Sequence, residues 1–239
     1  MPKNDDPLDR RGFLGKAGAS LTALGAGLLL MQAPLAAMAA GRPKKYGMVI
    51  DTNRCLMCHG CTIACISENN VPDGHYRSWV KVVDKGVYPE VSRHPLPRLC
   101  NNCEDAPCLN LCPTGATYRT PEDGVVHVNR EVCVGCRICV EACPYGSRFV
   151  NPLTNTADKC DFCYHRITRG LQPACVDACT GRARIFGDLN DPESEVARYM
   201  ASKSTLRLRA DLDTRPKVLY VNADESIMGP DYSQLLARR

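Results

Sequence analysis

The sequence predicts an α+β fold assembled from small modules with short strands, hairpins and short helices, and three observations support that prediction. Sixteen cysteines occur among 239 residues, a density typical of disulfide or metal scaffolds. The cysteines fall into four groups of four, separated by short segments in which apolar and polar residues alternate. Only four Phe and one Trp are present, so one large aromatic core is not expected.

Short strands are predicted between the cysteine groups because apolar and β-branched residues cluster there. They fall at 46–51, 124–129, 145–150, 184–187 and 218–221. Residues 79–83 and 87–91 alternate around Asp84-Lys85-Gly86, which predicts a hairpin that turns at this tripeptide. Helices are predicted over 62–68 and 191–203, the second starting at a favourable run of Asp, Pro, Glu and Ser.

All sixteen cysteines belong to one of four groups of four, and none is left over. Group one is Cys55, Cys58, Cys61 and Cys65; group two is Cys100, Cys103, Cys108 and Cys112; group three is Cys133, Cys136, Cys139 and Cys143; group four is Cys160, Cys163, Cys175 and Cys179. Groups two and three are each followed by proline, at Pro113 and Pro144. Groups one and four lack this proline, so the middle groups form the more regular pair and the outer groups the divergent pair.

The spacing C-x2-C-x2-C with an offset fourth cysteine is the pattern that holds iron–sulfur clusters. A tight loop directs three sulfurs and several backbone N–H groups at one cluster. The fourth cysteine is expected at the start of a helix facing away, so that it binds a neighbouring cluster, as in two-cluster ferredoxins. Sixteen thiolates suit four 4Fe–4S clusters, and a 3Fe–4S cluster at one site is an alternative that counting leaves open.

Three other chemistries compete for these cysteines. Cys55-Leu-Met-Cys58-His59 matches C-x-x-C-H, the attachment pattern of c-type haem, but haem leaves Cys61 and Cys65 unexplained. A disulfide framework would suit an exported protein, yet such frameworks seldom repeat C-x-x-C-x-x-C. Structural zinc usually takes two close pairs from separate loops. The four matching groups therefore favour iron–sulfur clusters.

Residues 1–40 have the features of a twin-arginine export signal and are excluded from the fold. Arg10-Arg11 precedes a weakly apolar stretch, and Ala37-Met38-Ala39 offers a cleavage site near its end. An uncleaved membrane anchor is the alternative, since the stretch is just long enough to span, but Gln32 and Pro34 make it a poor permanent span. The twin-arginine route exports folded proteins, which suits clusters inserted before export and predicts a periplasmic location.

The remaining residues indicate no second chemistry. Five histidines show no paired metal-binding spacing, and no phosphate-binding glycine loop or G-x-S-x-G occurs. The formal charge of +4 becomes about −4 if four clusters carry about −2 each, so a nucleic-acid partner is not expected. Arg54, Arg130 and Arg137 lie in or near the cysteine groups, where a cation either raises a cluster's reduction potential or is simply solvated.

Four segments resemble the four-cluster iron–sulfur subunits of the molybdopterin oxidoreductase complexes, which include polysulfide, tetrathionate, arsenate and dimethyl sulfoxide reductases. They are MVIDTNRCLMCHGCTIACISENNVP, PRLCNNCEDAPCLNLCPTGATYR, DGVVHVNREVCVGCRICVEACPYGSRFVNP and ADKCDFCYHRITRGLQPACVDACTGRARIFGDLNDPES. They are equally similar to the periplasmic ferredoxin of the membrane complex linked to dissimilatory sulfite reductase. The resemblance covers residues 47–198 and is specific for the family but not for the substrate.

The resemblance implies an electron-transfer subunit without catalysis of its own. It would relay single electrons through four 4Fe–4S clusters between a quinone-reactive membrane subunit and a catalytic subunit of molybdopterin or sulfite-reductase-linked type. The whole would be an exported, membrane-associated complex of anaerobic respiration acting on sulfur compounds. The sequence shows no substrate site, in keeping with that role. A free periplasmic ferredoxin is the alternative.

The resemblance also implies that group one pairs with group four and group two with group three. Cluster A would take Cys55, Cys58, Cys61 and Cys179; cluster B would take Cys160, Cys163, Cys175 and Cys65; cluster C would take Cys100, Cys103, Cys108 and Cys143; cluster D would take Cys133, Cys136, Cys139 and Cys112. The sequence alone also allows sequential pairing, of group one with two and of group three with four.

Nested pairing divides the chain into two ferredoxin-like double-cluster modules. The outer module would comprise 41–99 and 153–200, with the hairpin as an insertion, and the inner module would comprise 100–152. Residues 201–239 would form a C-terminal extension that binds a partner. Because the apolar residues alone are few, cluster binding and folding are expected to be one equilibrium.

Overall fold

The computed structural model describes residues 43–229, and the largest sheet in this range has three strands. Strand β1 (Tyr46–Asp51) lies between β8 (Arg184–Asp188), which is antiparallel to it, and β9 (Val218–Val221), which is parallel. Segments that lie far apart in the sequence therefore meet at β1.

Three two-stranded ribbons and six helices accompany this sheet within residues 43–229. The ribbons pair β2 (Ser78–Val87) with β3 (Glu90–Leu99), β4 (Thr117–Arg119) with β5 (Val126–Val128), and β6 (Phe149–Val150) with β7 (Ala157–Asp158). The helices are α1 (Gly60–Asn69), α2 (Pro107–Asn110), α3 (Ile138–Glu141), α4 (Tyr164–Ile167), α5 (Ala174–Asp177) and α6 (Glu195–Ser202). Short 3-10 turns occupy Thr52–Arg54, Ala210–Leu212 and Glu225–Ile227. These short strands and helices confirm the α+β class.

Strand β1 is buried on both faces. Met48, Val49 and Ile50 are all 0% exposed, and successive side chains of a strand point to opposite faces. Met48 and Ile50 pack in the larger core cluster, whereas Val49 packs in a smaller one with residues of β8, β9 and α6. An uninterrupted apolar run is the pattern of a strand covered on both faces. The bounds predicted for β1 and β9 are confirmed.

The C-terminal segment contributes to the core. Leu208 and Ile227 are both 0% exposed, and Leu206 exchanges two backbone hydrogen bonds with Tyr220, at 2.7 and 2.9 Å. The Tyr220 hydroxyl donates to the carbonyl of Pro97 at 2.8 Å, which ties β9 to the end of β3. This segment therefore helps to build the fold, and its partner-binding role stays a prediction.

The predicted hairpin exists, but the predicted position of its turn is wrong. The strands pair from Ser78 with Leu99 to Val87 with Glu90, so the chain turns at Tyr88-Pro89 and not at residues 84–86. The charged tripeptide continues β2 because Asp84 faces Arg93 across the ribbon. Their side chains form a two-bonded ion pair, at 2.7 and 3.0 Å.

The strand predicted over 145–150 is reduced to Phe149–Val150. Tyr145 is 2% exposed, and its carbonyl accepts a hydrogen bond from the buried Arg98 guanidinium at 2.6 Å. Gly146 follows with a left-handed φ of 60°. The chain therefore turns after group three, with Tyr145 buried and Gly146 exposed, and only Phe149 and Val150 are extended.

Both predicted helices exist with shifted ends. The first extends beyond 62–68 to the full length of α1. The second begins at Glu195 rather than at 191, because the Ser194 hydroxyl accepts a hydrogen bond from the Ala197 N–H at 3.2 Å and so caps the helix there.

The predicted export signal, residues 1–40, lies outside the described residues. Between residues 43 and 229 no helix is long and apolar enough to cross a membrane. The described residues belong to one compact unit. The division into outer module, inner module and C-terminal extension stays a prediction.

Gly181 determines how closely the end of group four approaches group one. A Cβ at this position would stand 2.1 Å from the Arg54 carbonyl oxygen, a backbone atom that cannot move without shifting the group-one loop. Gly181→Ala is therefore expected to lower the free energy of unfolding by about 1–3 kcal/mol, measured as a lower thermal unfolding midpoint. Gly229→Ala is the control, because nothing lies within 4 Å of its Cβ position. Equal midpoints for the two variants would contradict this packing.

Candidate cluster-binding sites

All four cysteine groups share one local structure. The third cysteine of each group is the second residue of a helix: Cys61 in α1, Cys108 in α2, Cys139 in α3 and Cys175 in α5. The fourth cysteine follows four residues later. It lies inside α1 in group one and two residues beyond the helix end in the other groups, so the expectation that it starts a helix is wrong. About one helical turn separates the third and fourth cysteines.

The residue two places after the first cysteine has a left-handed backbone in every group. These residues are Met57, Asn102, Gly135 and Phe162, with φ of 56°, 43°, 67° and 59°. Three of them are not glycine, and this conformation is uncommon for such residues. It directs neighbouring N–H groups into one concavity, which favours an anion. The N–H groups of Asn102 and Phe162 accordingly donate to the sulfurs of Cys100 and Cys160, at 3.5 and 3.4 Å.

Three cavities are each lined by four cysteines. One is lined by Cys65, Cys160, Cys163 and Cys175. A second is lined by Cys100, Cys103, Cys108 and Cys143. A third is lined by Cys112, Cys133, Cys136 and Cys139. In each cavity, three cysteines come from one group and the fourth comes from another.

The remaining four cysteines lie where group one meets the end of group four; they are Cys55, Cys58, Cys61 and Cys179. Burial raises the pKa of Cys55, and the nearby thiols of Cys61 and Cys179 raise it further. At Gly60 a Cβ would lie 3.3 Å from the Ala178 carbonyl oxygen and 3.6 Å from the Cys58 sulfur. The start of α1 therefore packs directly on the segment that leads to Cys179.

Burial opposes ionisation of the inner cysteines. It raises the pKa of Cys103 to about 12 and the pKa of Cys143 and Cys175 to about 11, and neighbouring thiols add to the effect. Cys112 is different: burial raises its pKa, but hydrogen bonds from Thr117 and Thr114 outweigh burial and lower the pKa to about 7. Because the thiolate is the form that binds metal, metal binding must release the protons of these thiols.

The donor set fits iron–sulfur clusters. All sixteen cysteines lie within residues 43–229, and none forms a disulfide there. In the same part of the chain, no three His, Cys, Asp or Glu side chains converge closely enough to hold a single metal ion, and the cysteines line cavities instead. Four thiols around a cavity, with backbone N–H groups directed at them, match the four-cysteine ligation of a 4Fe–4S cluster.

Comparison with known proteins agrees with this donor set. A family profile described as a 4Fe-4S dicluster domain matches residues 91–189. The chain is 44% identical over 195 residues to a tetrathionate reductase subunit of Salmonella typhimurium, covering 80% of this chain and 78% of that one. It is 46% identical over 181 residues to a polysulfide reductase subunit of Wolinella succinogenes, covering 74% and 94%. This protein belongs to the iron–sulfur subunits of respiratory reductases.

A third relative names the cofactor class directly. The arsenate respiratory reductase iron-sulfur subunit of a Shewanella species is 34% identical over 227 residues, covering 75% of this chain and 97% of that one. As an iron–sulfur subunit, the protein transfers electrons within a reductase complex and is not the catalytic subunit. The family predicted from the cysteine motifs is confirmed.

The C-x-x-C-H stretch of this iron–sulfur subunit has the loop structure of the other groups. His59 is exposed, has a left-handed φ of 58° and precedes the first residue of α1. Arg137 occupies the equivalent place before α3, is also exposed and has φ 64°. Of the other cations noted in the sequence, Arg130 lies 3.4 Å from Asp158 and Arg54 is half-buried. His59 is thus one of a pair of exposed loop residues.

Asn69 is a site residue that sequence reasoning missed. Its side-chain amide donates to the sulfurs of Cys65 and Cys163, at 3.7 and 3.6 Å, and both cysteines line the same cavity. Arg77 donates to the Asn69 side-chain oxygen at 3.0 Å and pairs with the buried Asp158 at 2.7 Å, which keeps the amide nitrogen directed at the sulfurs. The only signal in the sequence is that Asn69 follows Cys65 by four residues on one helix face.

Asn69→Ala is expected to lower the reduction potential of one cluster and leave the others unchanged. Hydrogen bonds to the sulfurs stabilise the more negative, reduced state, and losing them costs on the order of 1 kcal/mol, a roughly fivefold smaller equilibrium constant for reduction. Redox titration followed by electron paramagnetic resonance measures the shift. Asn110→Ala, at an exposed position at the end of α2, is the control. Unchanged potentials in Asn69→Ala would show that these contacts have no effect.

Proposed function

We propose that this subunit relays single electrons through four 4Fe–4S clusters between a catalytic subunit and a quinone-reactive membrane subunit of an exported anaerobic respiratory reductase. The observation that carries the proposal is that three cavities are each lined by four cysteines drawn from two groups. Each cluster, when bound, accepts and releases one electron. The chain supplies the ligands, the burial and the hydrogen bonds that set each potential.

The four cysteines that the family resemblance implies for each cluster are called sets A, B, C and D, after clusters A to D. We take these sets as the cluster ligands. The cavity cysteines support sets B, C and D. The closeness of Cys61 and Cys179 to Cys55 supports set A. Sequential pairing would require a cavity that combines groups one and two, and none of the three cavities combines them. Nested pairing of group one with four and of two with three is therefore favoured.

Helices α1 and α2 link the sites within each pair. Helix α1 carries Cys61 of set A and Cys65 of set B. Helix α2 carries Cys108 of set C, and Cys112 of set D follows two residues beyond its end. Because about one helical turn separates the cysteines in each case, A lies beside B and C lies beside D.

A side-chain amide links the two pairs. The Asn102 amide donates to the carbonyls of Cys100, in set C, and Cys160, in set B, each at 3.4 Å. Asn102 is 1% exposed, so this contact joins two ligand loops inside the protein. It supports the series A, B, C, D, in which every site adjoins the next.

The two ends of this series open to the surface. Cys58 of set A and Cys136 of set D are exposed, whereas all four cysteines of set B are buried. Large apolar side chains flank the exposed cysteines: Leu56 and Ile63, 61% and 65% exposed, flank Cys58, and Val134 and Ile138, 68% and 43% exposed, flank Cys136. Clusters of exposed apolar side chains are typical of protein contacts. These ends are therefore the proposed docking points of the two partner subunits.

The chemistry of the partners is proposed from the relatives and from the family resemblance. Two relatives are named as subunits of tetrathionate and polysulfide reductases, which supports a catalytic subunit that acts on a sulfur compound. The quinone-reactive membrane subunit follows from the resemblance alone. Residues 1–40 support export by the twin-arginine route, and with it a periplasmic location.

The two-module organisation belongs to the same proposal. Sets C and D use cysteines between 100 and 143 only, which supports an inner ferredoxin-like module at 100–152. Sets A and B use groups one and four, which supports an outer module from 41–99 and 153–200. Residues 201–239 are the extension proposed to contact a partner.

Cys58→Ser and Cys65→Ser, seven positions apart in one stretch, are expected to damage different clusters. Cys58→Ser should alter the signal of cluster A. Cys65→Ser should alter the signal of cluster B, because Cys65 lines a cavity with group four. The measurement is electron paramagnetic resonance of the reduced proteins, and Cys61→Ser is a matched variant that should reproduce the Cys58 pattern. Loss of the same signal in the Cys58 and Cys65 variants would refute the nested pairing.

A further inference from the structure

Three of the buried cations lie close to the cysteines of the proposed ligand sets. They are Arg184, Arg148 and Lys159, which are 3%, 4% and 4% exposed. Arg77, which is also buried, pairs with Asp158 at 2.7 Å, but these three form no ion pair with Asp or Glu in the described part of the chain. An unpaired buried charge is strongly unfavourable, so a negative charge of another kind must lie close to each.

Arg184 lies between sets A and B. Its Nη1 donates to the Cys175 sulfur, of set B, at 3.7 Å. The thiols of Cys61, in set A, and Cys160, in set B, are also close enough to act on its charge. Its Nη2 is buried without a hydrogen-bond partner among residues 43–229. The guanidinium therefore faces both sites of the outer pair.

Arg148 holds the corresponding place between sets C and D. It lines the cavity of Cys100, Cys103, Cys108 and Cys143, and the thiol of Cys139, in set D, also acts on its charge. Its Nη1 donates to the Thr117 hydroxyl at 3.2 Å. Its Nε and Nη2 are buried, and neither has a partner in the described chain.

The two arginines occupy equivalent positions in the sequence. Arg148 follows Cys143 by five residues, and Arg184 follows Cys179 by five. Cys143 and Cys179 are the fourth cysteines of groups three and four, so each arginine comes after the last cysteine of its proposed pair. The same position relative to the last cysteine is thus an arginine in both pairs. Both arginines are buried, and both have guanidinium nitrogens without a hydrogen-bond partner in the described chain, which indicates a shared role.

Lys159 lies where the two pairs meet. Its ammonium donates to the carbonyl of Cys160, in set B, at 2.7 Å and to the Asn102 side-chain oxygen at 3.5 Å. On the other side is Cys108, in set C: burial raises the pKa of Cys108, and the charges of Arg148 and Lys159 act against that rise. Each of the three junctions in the series thus contains one buried cation.

We infer that Arg184, Lys159 and Arg148 are shared counter-charges, each of which raises the reduction potentials of the two clusters that flank it. The inference rests on the proposed ligand sets. A fixed cation favours the reduced form of a cluster, because that form carries one more negative charge, and the effect is large where water is excluded. A cation at a junction acts on both neighbours and so keeps the potentials of successive clusters close.

The test is the pattern of shifts produced by three neutral substitutions. Arg184→Gln should lower the potentials of A and B, Lys159→Met those of B and C, and Arg148→Gln those of C and D. Each affected cluster should show a decrease of about tenfold in the equilibrium constant for reduction, which is 59 mV for one electron. Redox titration with electron paramagnetic resonance detection measures all four clusters. Arg182→Gln and Arg169→Gln, at exposed positions in or next to group four, should shift none.

The variants Arg184→Lys and Arg148→Lys distinguish the effect of the positive charge from the effect of the shape of the arginine side chain. They should stay within about threefold of the wild-type equilibrium constants, because the positive charge remains. If a glutamine variant assembles fewer than four clusters, its iron content is compared with that of the lysine variant. The lysine variant must then bind as much iron as the wild-type protein. Equal shifts in the lysine and glutamine variants, equal iron loss in both, or unchanged potentials in the glutamine variants would each overturn the inference. Failure of the ligand sets themselves is distinguishable, because Cys58→Ser and Cys65→Ser would then abolish the same cluster signal.

Discussion

The bond between iron and cysteine thiolate is the interaction on which the rest of this structure depends. Within residues 43–229, the polypeptide alone buries groups whose charges are not balanced. They include thiols such as Cys103, whose pKa is raised to about 12, and cations such as Arg148 and Arg184, which have no carboxylate partner in that part of the chain. Burial opposes ionisation of the thiols and penalises the unpaired cations. A negatively charged cluster with thiolate ligands reverses both penalties at once, so metal binding and folding are coupled.

The same loop structure occurs in all four cysteine groups, and it explains how a small protein can hold several clusters. A left-handed residue two places after the first cysteine directs N–H groups inward, and the third cysteine enters a helix at its second residue. The fourth cysteine then stands about one turn further on, where it serves the adjacent site. Each loop therefore contributes to two sites. The sheet of β1, β8 and β9 supports this arrangement by joining the start, the late middle and the C-terminal part of the described chain.

The sequence predicted the features that depend on local pattern. The four cysteine groups, the α+β class, and the bounds of β1 and β9 could be read from spacing and from uninterrupted apolar runs. The turn of the hairpin could not, because the Asp84–Arg93 ion pair that continues β2 depends on register across the ribbon. Asn69, Arg148 and Arg184 were missed for a related reason. An asparagine or arginine in a sequence gives no sign of burial, and these side chains are site residues only because tertiary packing brings them to cysteines of other groups.

If all sixteen cysteines hold clusters, four to each, the iron and acid-labile sulfide content of the protein must reflect it. In protein purified without oxygen, we expect about sixteen iron atoms and about sixteen sulfides per chain, with sulfide equal to iron. A content near eight iron atoms, or zinc in place of iron at full occupancy of the cysteines, would contradict it.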